Sequence, residues 1–157
     1  MNRRLFLGQA ILASATVGVA APVPKAKGKV NPGDPWKFPD LKSEGWVERK
    51  DGLKVWDVKE GEGDEVKAGA TVKVHYTGWL TDGTEFDSSK KSGRNPVEFP
   101  LALLVKGWQE GVPGMKPGGI RRLYVPAELG YGAKGAGGQI PPDATLVFVI
   151  ELIDFKK

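Results

Sequence analysis

Side chains able to form covalent intermediates or bind metals are scarce in this 157-residue chain. It contains no Cys and a single His, His75. The composition excludes disulfides, thiol nucleophiles and Cys-ligated zinc or iron–sulfur centres, and it leaves too few ligands for a histidine-rich metal site. We therefore predict no metal and no cofactor. His75 lies on the polar face of a predicted strand, where a satisfied or solvent-facing histidine is favoured over a ligand or a base.

Asp87 is the carboxylate with the most informative surroundings. Asp82-Gly83 predicts a hairpin turn, and Asp87 lies just after the strand that follows it, between Phe86 and Ser88-Ser89. A carboxylate in such a place needs a partner, and Arg94 or a tyrosine hydroxyl are the candidates. Capping a turn is the alternative role for Asp87.

Aromatic residues outnumber what a core of this size strictly needs. The residues concerned are Tyr76, Phe86, Phe99, Trp108, Tyr131 and Phe148. Their default role is in the core, but a shallow pocket lined by them would be a binding site.

Gly130, Gly132 and Gly135 match the G-x-G-x-x-G spacing of dinucleotide-binding loops. That motif requires a helix directly after it, because the helix N-terminus holds the pyrophosphate. Further glycines and Pro141-Pro142 follow instead, and they cannot open a helix. We interpret this stretch as a glycine-rich loop around Tyr131.

The elements that would carry these residues are mostly strands. Period-two alternation predicts a strand over 71–80, and further strands are expected at 53–58, 84–86, 120–125 and 145–155, with a short edge strand at 46–49. In the 71–80 strand, one face is apolar and the other polar; the apolar set is Val72, Val74, Tyr76 and Leu80, and the polar set is Thr71, Lys73, His75 and Thr77.

One short helix is expected at 106–112, weakened by Gly107 and Gly111 and stopped by Pro113. The fold class is α+β: a twisted antiparallel sheet with one helix packed across it.

The formal charge of +4 belongs to the N-terminal arm. Six basic and two acidic residues precede Leu41, which leaves 17 of each sign from Leu41 onward. Nucleic-acid binding requires a basic face on the domain itself, so we predict none.

Residues 1–20 have the pattern of an export signal: a charged start, a short apolar run and small residues at its end. The run is too short and too rich in small residues to predict a membrane span. Arg3-Arg4 followed by Leu5-Phe6-Leu7 favours a twin-arginine signal. An ordinary secretory signal and an uncleaved anchor remain the alternatives, and cleavage is expected before Ala21.

Residues 21–40 alternate prolines with lysines and glycines, which indicates a semi-extended linker. Trp36 and Phe38 near its end either dock on the domain or remain exposed. The domain is expected at 41–157.

Four stretches together resemble the FKBP family of peptidyl-prolyl cis–trans isomerases. They run, in order, over residues 74–78, 82–89, 107–112 and 131–148. The resemblance implies a sheet of five or six antiparallel strands wrapped around one short helix.

The resemblance also implies a pocket between helix and sheet. Its matching residues are Tyr76, Phe86, Asp87, Phe99, Leu104, Val105, Trp108, Tyr131, Ile140 and Phe148. Trp108 would form the floor, Asp87 and Tyr131 would supply polar groups at the rim, and the Ile140 N–H would bind a substrate carbonyl.

The rim departs from the family pattern at several positions. Val97 stands where an aromatic residue is common, Leu103 replaces an acidic residue, Gly130 replaces Ala, and Ala136 and Gln139 alter the loop before Ile140.

The implied function is isomerisation of X-Pro bonds, which assists the folding of exported proteins. Proline-containing peptides and unfolded proteins would be the partners, macrolides would be inhibitors, and the protein would act as a periplasmic or otherwise extracytoplasmic monomer. A peptide-binding chaperone with little turnover, or an adaptor anchored by an uncleaved N-terminus, is the alternative.

Overall fold

The computed structural model describes residues 33–90 and 95–157. The predicted export signal, the start of the predicted linker and Arg94 lie outside the described residues. The strands are β1 Val47–Glu48, β2 Lys54–Lys59, β3 Thr71–Leu80, β4 Glu85–Ser88, β5 Val97–Pro100, β6 Ile120–Val125 and β7 Leu146–Lys156, and the helix is α1 Lys106–Gly111. Short 3₁₀ turns cover Lys50–Gly52, Leu101–Leu103, Ala127–Leu129 and Gly132–Lys134.

The described strands form one antiparallel sheet in the order β1-β2-β6-β7-β3-β4, and β5 also pairs with β3. Its seven strands exceed the five or six expected. The unexpected strand is β5, a four-residue run that ends in Pro100. It forms because the ten-residue β3 is longer than β4, so one edge of β3 pairs first with β5, along 71–74, and then with β4, along 77–79.

The helix α1 packs on one face of the sheet, close to the predicted position. Gly107 and Gly111 allow this close packing, since a Cβ at Gly107 would lie 2.4 Å from Val125 and one at Gly111 would lie 2.7 Å from Leu123. Two glycines cost helix stability, about 1 kcal/mol each relative to Ala. The contact between helix and sheet nevertheless requires both glycines, because a larger residue at either position would hold the helix away from the sheet.

Two arginines hold the C-terminal end of α1. Arg121 donates to the Gly111 carbonyl at 2.7 Å and pairs with Asp57 at 2.6 Å, and Arg49 donates to the Glu110 carbonyl at 3.2 Å. Cations at this end of a helix are favoured by its dipole. Burial and the neighbouring Arg121 charge lower the pKa of Arg49, an effect that Asp57 partly offsets.

The other face of the sheet is covered at the C-terminal end of β3, which corrects the prediction that Thr77 lies on an open polar face. Thr77 and Trp79 are only 3% and 4% exposed. Trp79, Ile120, Val147 and Val149 form a second apolar cluster, against which Trp36, Leu41, Trp46, Val58 and Tyr124 pack. The pattern of the strands could not reveal this layer, because Trp36, Leu41 and Trp46 belong to a segment that precedes the strands.

Arg122 ties that preceding segment to the sheet. Its side chain is 1% exposed, lies 4.8 Å over the Trp56 ring and donates to the Asp34 carbonyl at 3.0 Å. Burial lowers the pKa of Arg122, and nearby Asp34 raises it. Of the two alternatives for Trp36 and Phe38, Trp36 docks against the second apolar cluster, whereas Phe38 remains 36% exposed with its ring centroid 5.9 Å from that of Trp79. No helix among the described residues is long and apolar enough to cross a bilayer.

Candidate active site

Five aromatic rings meet between α1 and the sheet, each pair in contact at a steep angle. Trp108 lies at the centre, with its ring centroid 5.6 Å from Tyr76, 6.1 Å from Phe99 and 5.4 Å from Phe148. Phe86 extends the cluster, 5.7 Å from Phe148. Edge-to-face packing of this kind is the favourable geometry for aromatic pairs. Trp108 and Phe148 are buried, whereas the other three rings remain partly exposed.

Each ring comes from a different element: α1 and the strands β3, β4, β5 and β7. Gly78 allows the rings from β4 and β7 to meet across β3. It pairs with Asp87 on one side and with Phe148 on the other. A Cβ at Gly78 would lie 2.6 Å from the Phe86 ring and 2.9 Å from the Phe148 ring. The contact between these rings thus requires glycine at position 78. Gly78 was not among the predicted site residues, although a glycine within an alternating strand was its signal.

Asp87 has the tyrosine partner that the sequence offered as one candidate. The Tyr76 hydroxyl donates to Asp87 Oδ2 at 2.5 Å, and the Ser88 N–H donates to Oδ1 at 2.9 Å. Asp87 is exposed at the edge of the sheet, so both contacts orient it without burying it. The link to Tyr76 connects the carboxylate to the aromatic cluster.

The residues that follow Asp87 are held by hydroxyl groups. Ser88 Oγ lies 2.8 Å from Thr77 Oγ1. Ser89 Oγ accepts the Tyr76 N–H at 2.8 Å and lies 3.0 Å from His75 Nδ1. His75 is therefore satisfied by a structural contact, in agreement with the favoured interpretation.

Ile140 does not have the backbone role expected for it. Its N–H donates to the Ala136 carbonyl at 3.1 Å, and its O accepts the Ala136 N–H at 2.9 Å. This closed pair occupies the donor that was expected to bind a substrate carbonyl. Gly135 allows the bend, since its φ is +66° and a Cβ there would overlap the Ile140 carbonyl. The Ile140 side chain is buried in the core beside the aromatic cluster.

The loop before α1 supplies Leu104 and Val105, both half-buried against the core. Gln109 fixes this loop by donating to the Leu104 carbonyl at 2.6 Å. The Val105 carbonyl accepts the N–H groups of Trp108 and Gln109, while its own N–H has no acceptor among residues 33–90 and 95–157. A free donor therefore lies one turn before the central tryptophan.

Tyr131 and Val97 lie at the periphery. Tyr131 is 42% exposed and makes no ring contact with the described aromatic residues. It precedes the turn Gly132–Lys134, and no helix follows the glycine motif directly, as expected. Val97 pairs with Val74 and lies on the same side of β5 as Phe99. The rim roles of both residues stay predictions.

The site is better suited to catalysing a change of conformation in a bound molecule than to forming a covalent intermediate. It offers an aromatic floor, one oriented carboxylate and one free N–H. Among the described residues no cluster of His, Asp or Glu could hold a metal ion.

Comparison with known proteins identifies the family. Residues 63–153 match the family described as FKBP-type peptidyl-prolyl cis-trans isomerase. The FK506-binding protein of Neisseria meningitidis is 53% identical over 104 residues, which cover 65% of this chain and 94% of that protein. The chain belongs to the FKBP-type isomerases.

A second relative and a solved structure agree with this membership. The probable FKBP-type peptidyl-prolyl cis-trans isomerase of Haemophilus influenzae is 43% identical over 129 residues, which cover 82% of this chain and 53% of that one. The crystal structure of FkpA from Escherichia coli matches with a TM-score of 0.69 at 43% identity, over 73% of this chain and 53% of that chain.

The protein is therefore a peptidyl-prolyl cis–trans isomerase, and the resemblance seen in the sequence is confirmed. The match to the family starts at residue 63. Strands β1 and β2 and the segment that covers the second face of the sheet precede it.

Proposed function

We propose that this isomerase binds the proline ring of its substrate against Trp108 and Phe148 and lowers the barrier to rotation about the preceding peptide bond. The observation that carries the proposal is the perpendicular contact of Trp108 with three rings, two of which remain partly exposed. These rings offer a rigid apolar surface to a rigid apolar ring, whose binding costs little conformational entropy.

The chemistry needs neither a nucleophile nor a metal. Rotation must break amide resonance, with a barrier of about 18–20 kcal/mol. The planar amide is more dipolar than the twisted one, so an aromatic surface that excludes water disfavours the ground state more than the transition state. Each lowering of the barrier by about 1.4 kcal/mol gives a tenfold gain in rate.

Polar groups at the rim would orient the peptide. The Val105 N–H takes the role expected of the Ile140 N–H, because the latter is already paired with Ala136. Asp87, held by Tyr76, acts as an orienting and electrostatic group. It is not a general base, since no proton is transferred in the reaction.

The substrates we propose are exported polypeptides that contain proline. Arg3-Arg4 and the short apolar run after them support export by the twin-arginine route. The isomerase would then act outside the cytoplasm as a monomer and assist folding steps limited by slow X-Pro isomerisation. Macrolides of the FK506 type would compete for the same rings.

The test compares two Phe→Leu variants on one strand of the full chain. Phe148→Leu removes a ring of the site, whereas Phe155→Leu removes a half-buried ring at the far end of β7. Isomerisation of a Phe-Pro peptide is followed without a coupled protease. We expect kcat/KM to fall about tenfold for Phe148→Leu and less than about twofold for Phe155→Leu. Equal losses, or none, would contradict the assigned site, and peptide binding without turnover by the parent chain would favour the chaperone alternative.

A further inference from the structure

A segment that precedes the family match reaches the back of the active site. Residues 34–46, called here the N-terminal brace, cover the sheet face opposite α1. The brace is fixed by Arg122, which donates to the Asp34 carbonyl at 3.0 Å. Phe38 contacts Trp79 of β3 with ring centroids 5.9 Å apart. Trp36 packs in the same apolar cluster.

The brace also contacts the strand end that carries Asp87. Lys90 Nζ lies 4.0 Å from the centroid of the Trp36 ring, within the range of a cation–π contact. The Lys90 N–H donates to Ser88 Oγ at 3.2 Å, and the Ser88 N–H donates to Asp87 Oδ1 at 2.9 Å. Contacts therefore run without a gap from Trp36 to the active-site carboxylate.

The position of β4 explains why such a contact matters. β4 is the outermost strand of the sheet beside β3, and its pairing shifts register between Gly78 and Trp79. An edge strand is hydrogen-bonded on one side only, so its end has fewer constraints than an inner strand. Asp87 itself is exposed and depends on its neighbours for a fixed orientation.

We propose that Trp36 and Lys90 are positioning residues of this isomerase. Trp36 holds Lys90, and Lys90 in turn fixes the Ser88 end of β4 so that the Asp87 carboxylate stays on the Tyr76 hydroxyl. The inference rests on the orienting role proposed above for Asp87. It gives Trp36 of the brace a role in catalysis, although Trp36 precedes residues 63–153, which match the family.

The test measures kcat and KM separately in the full chain. Lys90→Met removes the cation and keeps an unbranched side chain, and Trp36→Leu removes the ring and keeps apolar packing. We expect each to lower kcat/KM about two- to fivefold, the range that corresponds to an exposed cation–π contact. The double variant should lose no more than the worse single variant, and Lys90→Arg should restore activity because it keeps the cation.

The decisive arm uses Asp87→Ala as the background. If Lys90 acts through Asp87, Lys90→Met should cause no further loss there, whereas a general loss of stability would still lower activity. Lys54 provides a matched control, since its Nζ lies 5.0 Å over the Tyr124 ring on β6. Lys54→Met should leave kcat/KM unchanged.

The outcomes separate the two proposals. Full activity of Asp87→Ala would refute the orienting role of Asp87 and this inference with it. Two outcomes would refute the positioning role alone. In the first, Asp87→Ala loses activity while Lys90→Met keeps the activity of the parent. In the second, Lys90→Met lowers activity equally in the parent and in the Asp87→Ala background. Lys90 is exposed, so Lys90→Met leaves the core intact even where Trp36→Leu fails to fold.

Discussion

Replacing Trp108 by Ala removes the ring on which the proposed mechanism depends most. Trp108 is 4% exposed and contacts three other rings. Truncating a buried aromatic residue costs about 3–5 kcal/mol of folding free energy, and each lost aromatic pair accounts for about 0.5–1.5 kcal/mol. A domain with about 5–15 kcal/mol of stability tolerates this loss at low temperature. The folded fraction must nevertheless be measured.

We expect kcat/KM per folded molecule to fall at least about tenfold, which corresponds to about 1.4 kcal/mol of lost transition-state stabilisation. Urea unfolding gives the folded fraction, and exchange spectroscopy on an X-Pro peptide gives the rate.

Trp46→Ala is the control for Trp108→Ala, because Trp46 contacts Trp56 and Tyr124 on the opposite face of the sheet. It should lower stability and leave the activity of the folded protein unchanged. His75→Ala should also reduce activity less than Trp108→Ala, since His75 has only a structural contact with Ser89. The proposed role of Trp108 would be refuted if folded Trp108→Ala protein kept activity within about twofold of the parent. The proposed chemistry would be refuted if folded His75→Ala protein had no activity.

Three further predictions concern the rim, the export signal and acid stability. Val97→Phe adds apolar surface beside Phe99, and each Å² newly buried by a ligand contributes about 25 cal/mol to binding. Titration with rapamycin should therefore show tighter binding, while peptide turnover changes much less. Weaker binding would show that Val97 does not line the rim. Changing Arg3 and Arg4 together to Lys should retain the precursor in the cytoplasm, and cell fractionation showing continued export would favour the ordinary secretory signal. Hydrogen bonds from Thr84 lower the pKa of Asp82 below its usual value. The ionised Asp82 carboxylate therefore stabilises the fold above the unfolded pKa of about 3.9, and this stabilisation is lost as the pH falls through the folded pKa. Asp82→Asn should therefore flatten the acid limb of a stability curve, and an unchanged limb would count against this contribution.

Much of the fold was predictable because its signals are local. The strand at Ile120–Val125 lies where alternation predicts it, and the helix starts at Lys106, where the apolar run before Pro113 predicts it. The strand β5 was missed, since a run of four residues ending in proline has no distinct pattern of its own. Its partner is β3, more than twenty residues earlier in the chain, and pairing at that separation is decided by the packed sheet.

For the site, the sequence indicated which residue types are involved, and the structure showed which of their groups are already hydrogen-bonded. The resemblance carried by the stretches around Tyr76, Asp87 and Trp108 predicted an aromatic site without covalent chemistry. The pairing of Ile140 with Ala136 could not be predicted, because the sequence does not show whether a given backbone N–H is already hydrogen-bonded within the fold.

The sequence by itself determined the class of chemistry, the alternating strands and the family. Absent Cys, a lone His and the aromatic motifs are properties of composition and order, so they need no coordinates. Only the tertiary structure decided what covers the second face of the sheet, where Trp79 is buried beside Phe38 and Arg122 is held by the Asp34 carbonyl. The physical reason is that periodicity reports which side chains avoid water, whereas the surface that removes them from water comes from residues distant in the chain.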